Sequence, residues 1–162
     1  MLSADSATWV AFGRDLPDGA QVFELATTDQ SVYAALYSKG LYRIAPDGGS
    51  WQQVGDVKPL RFHIHGEVFL AGHNPGGVYR SVDAGRTWEL GGGTFDHSPT
   101  WVLGHAGPNL LVGTSPGAVA MSRDSGASWQ PSAAGLPAGA SVVALASDRS
   151  YALAAVVIQH DR

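Results

Sequence analysis

The sequence predicts an all-β protein built from similar four-stranded antiparallel sheets, and three observations carry that expectation. First, Ser81-Val82-Asp83-Ala84-Gly85-Arg86-Thr87-Trp88 recurs as Ser122-Arg123-Asp124-Ser125-Gly126-Ala127-Ser128-Trp129, a shared S-x-D-x-G-x-[TS]-W pattern. Second, looser copies end at Trp9 and Trp51 and carry Asp5 and Asp47 one place later, so Trp9, Trp51, Trp88 and Trp129 stand 42, 37 and 41 residues apart. A period of that size marks a propeller, a solenoid or an array. Third, 21 glycines, 44% hydrophobic and only 15% charged residues describe a turn-rich globular chain. No segment carries a helical period of apolar residues.

Taken in order, residues 9–12 form a short outer strand that runs into the turn signal of residues 16–20, Leu-Pro-Asp-Gly-Ala. Strands follow at residues 21–25, 32–36 and 40–44, then the looser turn copy, then a fourth strand from Trp51. The same order repeats over residues 60–65, 68–72, 77–81 and 88–90. It repeats again over residues 100–104, 110–113, 118–122 and from Trp129. A partial unit at residues 141–146 and 151–158 stops before any S-x-D-x-G turn. Each unit is therefore four short strands, the blade of a β-propeller.

The chain starts in the phase of a third-to-fourth-strand turn and ends in the phase of the first three strands. Pairing the N- and C-terminal strands would complete a fourth blade and remove exposed edges. The expectation is thus a single domain over residues 1–162, a propeller of about four blades closed by its own ends. The rival arrangement is half of a larger ring, closed by a second copy or by further sequence, so a homodimer is an open possibility.

Turn chemistry explains the repeated residues. Asp83 and Asp124 accept backbone N–H bonds inside their own turns. Gly85 and Gly126 supply positive φ without steric cost. Thr87 and Ser128 add a hydroxyl bond, after Ser81 and Ser122 have opened the turn. Trp88 and Trp129 bury a ring whose Nε1–H needs a carbonyl. Asp5 with Trp9, and Asp47 with Trp51, serve less regular turns. One carboxylate per turn is too few for a Ca²⁺ site.

The pattern resembles the Asp-box, or BNR, repeat found in sialidases, sortilin-type receptors, some xyloglucan-cleaving hydrolases and propellers similar to photosystem II assembly factors. The resemblance spans nearly the whole chain as four units, two of them complete. It implies that the motif holds the fold and lies on the face away from the usual ligand site. It also invites comparison with the sialidase signature, because Tyr42-Arg43-Ile44-Ala45-Pro46 is similar to F/Y-R-I-P. Yet Arg43 occupies the repeat position held by Arg80 and Met121, so it is a feature of the repeat. Sialidase-like or other glycoside hydrolysis, by this chain or by a larger protein of which it is a fragment, is the alternative function.

A net charge of −4 with no basic run speaks against nucleic-acid binding, and no cysteine is present for a disulfide or thiolate site. No apolar run is long enough to cross a bilayer, so no membrane partner is expected. Nothing near Met1 resembles a signal peptide, and the compartment stays open. His63 and His65 alternate along one strand face, where they would chelate a metal with His105 or Glu67, or else pack against a neighbouring blade or line the central channel. The carboxylates Asp15, Asp18, Glu24, Asp56, Glu67, Glu89 and Asp96 show no pairing in sequence. No catalytic residue, cofactor or metal is therefore assigned. The favoured function is a non-enzymatic binding or scaffold module for a protein or glycan. Its candidate face comprises the fourth-to-first and second-to-third strand loops, with Arg14, Tyr37, Lys58, His73, Phe95, Asp96 and His97, beside Lys39 and Asn74.

Overall fold

The computed structural model describes residues 2–4, 9–55, 57–73, 76–93, 99–114, 118–132, 134–137, 139–147 and 151–158. Among them the strands are β1 (Leu2–Ala4), β2 (Trp9–Ala11), β3 (Val22–Thr28), β4 (Ser31–Leu36), β5 (Gly40–Ala45), β6 (Gly48–Gln53), β7 (Arg61–His65) and β8 (Val68–Gly72). They continue as β9 (Val78–Ser81), β10 (Glu89–Leu90), β11 (Thr100–Ala106), β12 (Asn109–Thr114), β13 (Ala118–Ser122), β14 (Gln130–Pro131), β15 (Ala140–Ser147) and β16 (Ala152–Ile158). The described chain is all-β. Three complete four-stranded sheets, β3–β6, β7–β10 and β11–β14, each hydrogen-bond in sequence order. Every ladder is antiparallel.

The termini form two further pairs. β1 pairs with β2, and β15 pairs with β16. The pairing between the two ends expected from the sequence is not among the ladders of the described residues. The first strands β3, β7, β11 and β15 pack in succession, and β15 rests on the sheet of β11–β13. The terminal pairs therefore belong to opposite ends of a row of sheets.

Strand alternation puts apolar residues on both faces of each sheet, because each sheet is sandwiched between neighbours. Phe62, Ile64 and Phe69 of the second sheet meet Tyr33, Ala35 and Leu41 of the first. Leu70 and Val78 meet Leu103, Leu110, Val112 and Trp129 of the third. At the other side of the first sheet, Trp51 and Ile44 are covered by Phe12 and Leu16 from the incoming chain.

The S-x-D-x-G-x-[TS]-W turns are closed by a dense local network. The Ser81 hydroxyl donates to Asp83 Oδ1 (2.7 Å) and accepts from the Gly85 amide (2.9 Å). Asp83 then accepts from the Thr87 amide (2.9 Å) and hydroxyl (2.6 Å). The second copy repeats this, with Gly126 N to Ser122 Oγ at 2.8 Å and Ser128 Oγ to Asp124 Oδ2 at 2.5 Å. Both copies need two successive left-handed residues, Ala84 (φ 59°) with Gly85 (φ 83°), and Ser125 (φ 59°) with Gly126 (φ 83°). Glycine meets this demand without strain at the second position. The Trp88 Nε1–H donates to Gly85 O at 2.9 Å.

The looser copy before Trp51 is built differently. β5 and β6 join through a two-residue hairpin at Pro46-Asp47, with Ala45 opposite Gly48. Asp47 is exposed there. Trp51 remains buried, but its Nε1–H has no hydrogen-bond partner among the described residues. Trp9 is 72% exposed, unlike the other three motif tryptophans, and residues 5–8 of its copy lie outside the described residues.

Consecutive sheets are joined by one repeated contact. At three joints a glycine one or two residues past the fourth strand lies against the next sheet's indole. A Cβ on Gly55 would sit 2.9 Å from Trp88 Nε1, on Gly91 2.7 Å from Trp129 Nε1, and on Gly13 2.5 Å from Trp51 Nε1. Backbone bonds lock the joint: Gly92 N to Ala127 O and Trp129 N to Gly92 O, both 2.9 Å. Arg14 and Ser50 form the matching parallel bridge two joints earlier.

Gly91 lacks the positive φ of many glycines here, so its substitution isolates the steric term. Gly91→Ala should lower unfolding stability by about 1–3 kcal/mol through overpacking, seen as a lower denaturant midpoint at unchanged slope. Trp129→Ala, which empties the other side of the same joint, should cost about 3–5 kcal/mol in the same measurement.

Candidate functional site

The start of each first strand and the end of each second strand lie at the same end of the sheets, opposite the S-x-D-x-G turns. At that end three first strands share one irregularity. β3 slips register between Val22 and Glu24, β11 between Thr100 and Val102, and β15 between Val142 and Ala144. Each slip leaves one residue without a cross-strand partner: Phe23, Trp101 and Val143. A β-bulge of this kind releases a side chain from strict alternation and re-aims it. All three are exposed large apolar residues. Phe23 stacks at a tilt on Tyr37 from the β4–β5 loop, ring centroids 5.0 Å apart.

Between these aromatics, β7 starts without a bulge and presents Arg61. Its Nε donates to Trp101 O (2.6 Å) and its Nη1 to Leu60 O (2.8 Å). The guanidinium is thus held in place by carbonyls. The ion pairs among the described residues are Arg14–Asp15 and Arg80–Glu89. Val22, Phe23, Leu60, Arg61, Pro99, Thr100 and Trp101 line a cleft of about 450 Å³ across the three sheets. No carboxylate is among the described residues that line it. The nearby Glu24 carboxylate accepts the Phe62 amide at 2.6 Å and so ties β3 to β7. Burial pushes its pKa up, against the opposing pull of that amide and of Arg61.

The residues expected to form one loop face are distributed over several places. Tyr37 joins Phe23 at the cleft. Lys39 Nζ donates to Asp18 O nearby. Lys58 and His73 line a separate cleft of about 480 Å³ with Val57, Tyr79, Arg86, Thr87 and Trp88. There His73 meets the Tyr79 ring edge-on at 5.9 Å. Arg14 lies beside β6, where its Nε donates to Ser50 Oγ at 3.1 Å. Phe95, Asp96, His97 and Asn74 lie outside the described residues. Phe23, Arg61 and Trp101 were not singled out by sequence. No signal along the chain marked them, because consecutive apolar residues such as Val22-Phe23 and Trp101-Val102 also suit a strand covered on both faces.

His63, His65 and His105 come together at the seam between the second and third sheets. His63 Nε2 and His105 Nδ1 are 3.2 Å apart, and the His65 and His105 ring centroids are 4.3 Å apart. Burial first, then the neighbouring imidazoles, lower the His63 pKa to about 4 and also lower that of His65. Among the described residues no group of three or more His, Asp or Glu side chains is arranged to hold a metal ion. Glu67 lines the rim of a cleft on the turn face with Asp83 and Arg43, apart from this cluster.

No protein-family model matches the chain, and no curated protein sequence does. Solved structures do share its fold. An ancestral GH74 enzyme superimposes with a TM-score of 0.61 at 18% identity, over 85% of this chain and 21% of that one. YCF48 bound to D1 peptide superimposes with a TM-score of 0.60 at 14% identity, over 86% of this chain and 49% of that one. Both neighbours are β-propellers, and the shared architecture is that of propeller sheets. The chain spans about half the length of YCF48 and about a fifth of the GH74 enzyme.

The shifted groups set the acid response. His63 binds a proton less readily folded than unfolded, so its contribution to stability is complete above pH 6.5 and is lost as pH falls toward about 4. Asp83 and Asp124, held down to about 2 chiefly by Thr87 and Ser128, contribute above pH 3.8 and lose that contribution as pH falls toward 2. Thermal unfolding should therefore show two acid steps. His63→Leu should flatten the upper one and leave the lower one in place.

Proposed function

We propose that the chain is a non-catalytic binding module of the Asp-box propeller type, which holds a peptide or protein loop across the cleft between β3, β7 and β11. The observation that carries this is the repeated bulge. It places Phe23 and Trp101 on either side of a carbonyl-held Arg61, at the mouth of three sheets. Aromatic and arginine side chains are the residue types that dominate binding energy at protein interfaces. The fold likeness to a propeller solved with a bound peptide gives the same reading indirect support. In this view the S-x-D-x-G-x-[TS]-W residues are structural, residues 1–162 act as one unit, and the terminal half-sheets are completed when β1 joins β16.

The fold likeness to a GH74 enzyme raises the alternative of glycoside hydrolysis, which needs two carboxyl groups flanking the scissile bond. The described lining of the cleft offers none, and Glu24 beside it is engaged by the Phe62 amide. That chemistry favours recognition over hydrolysis.

Selection of a displayed random-peptide library on the immobilised chain tests the proposal. Enriched peptides should lose about 2 kcal/mol of binding, or ~30-fold, on Trp101→Ala or Phe23→Ala. Unfolding stability should shift by only about 0.5 kcal/mol, because both side chains are exposed. Peptides that bind both variants as tightly as the parent would remove the cleft from consideration. Release of reducing sugar from a soluble β-glucan, abolished by Glu24→Gln, would establish the hydrolase alternative.

A further inference from the structure

Arg61, His63 and His65 share one face of β7, because alternate residues of a strand point the same way. Phe62 and Ile64 point the other way, into the apolar cluster with Tyr33 and Leu41 of the first sheet. The three polar side chains meet β11 instead. Arg61 Nε donates to Trp101 O at 2.6 Å, His63 Nε2 lies 3.2 Å from His105 Nδ1, and the His65 ring centroid lies 4.3 Å from that of His105. β7 and β11 belong to different sheets, so side chains join them and a ladder does not. The tie that positions the cleft and the imidazole cluster therefore share one seam, two residues apart along β7.

With neutral imidazoles, Arg61 carries the formal charge of this face. Once the imidazoles are protonated, every charge they add is also positive. The strands packed on the seam besides β7 and β3 are β8, β11, β12 and β15, and His105 is their one titratable side chain. β3 brings Glu24, whose carboxylate is bonded to the Phe62 amide. The turn after β7 brings Glu67, which lines the cleft on the turn face. No carboxylate among the described residues is thus bonded to the imidazoles. Two protonated rings at the His63–His105 separation repel, and neither nitrogen can then accept the other's N–H. Burial, then the neighbouring rings, hold the His63 pKa at about 4, so the closed seam resists the proton.

We propose that this seam is an acid-operated release for the cleft, an inference that rests on the reading of the cleft as a peptide site. Protonation of His63 and His105 parts β7 from β11, Arg61 loses the Trp101 carbonyl, and Trp101 moves away from the Arg61 side of the cleft. The joint of Gly91 on Trp129 lies at the far edge of the sheets and keeps them together. A bound peptide holds the seam closed and its imidazoles neutral. Binding therefore expels protons, and affinity falls as pH falls.

Heteronuclear NMR across a pH titration reads the switch without a ligand. The Arg61 Nε–H signal should move with the same midpoint as the His63 ring, while far-UV circular dichroism stays unchanged. His63→Gln should remove that movement, and Glu24→Gln should keep it. His105→Gln, which removes the facing ring, serves where His63→Gln fails to fold. Affinity of the parent for a library-selected peptide should fall about tenfold between about pH 7 and about pH 5. His63→Gln should match the parent at about pH 7 and lose less than about twofold over the same range. An Arg61 signal indifferent to His63, a peptide affinity independent of pH, or an acid response that vanishes in Glu24→Gln would overturn the proposal. A selection that yields no peptide would defeat the binding reading alone, and the Arg61 titration would still decide whether the seam opens.

Discussion

A bare stretch of backbone lying flat on an indole is the contact on which the arrangement depends. Gly13, Gly55 and Gly91 each allow the chain leaving one sheet to approach the tryptophan of the next until no Cβ would fit. Trp88 and Trp129 are presented by turns whose bonds are nearly all local, so their orientation depends little on long-range contacts. Successive sheets are then stacked at a fixed offset, and their first strands are brought side by side. The cleft between β3, β7 and β11 follows from that stacking. The placement of Phe23, Arg61 and Trp101 thus rests on packing at the far edge of the sheets.

Much of this was legible in the sequence because it is local. Ser81, Asp83, Gly85 and Thr87 satisfy one another within eight residues, and the strand order follows from alternation and turn signals. What was not legible depends on a partner strand. The bulges at Phe23 and Trp101 exist only relative to β4 and β12, and no count along a single strand reveals a slip of register. The candidate face was drawn from loop membership, which does not say which loops converge. Tyr37 reached the cleft with Phe23, Lys58 and His73 went to another, and Arg14 was held beside β6. The end-to-end pairing rests on phase alone, and it is not among the ladders of the described residues.

The seams are similar in shape but not in chemistry. Ala26 and Ile64 face each other across the first seam as part of an apolar cluster. The matching layer of the second seam holds His63, His65 and His105. A repeat constrains volume and register at each position more than polarity, so one seam carries imidazoles where the one before carries an alanine and an isoleucine. Cohesion between neighbouring sheets is therefore uneven along the row, and acid acts on one seam in particular.

The extra residue at the head of β3, β11 and β15 also separates two tasks. A side chain within the alternation must fit the seam on one face of the sheet or the other, whereas one at a slip answers to neither. Phe23, Trp101 and Val143 can be exchanged for side chains of other size or charge while the ladders beneath keep their register. The scaffold behaves like a rack with interchangeable fittings: new specificity requires rewriting a few unpaired letters, and the sheets that carry them need not be redesigned.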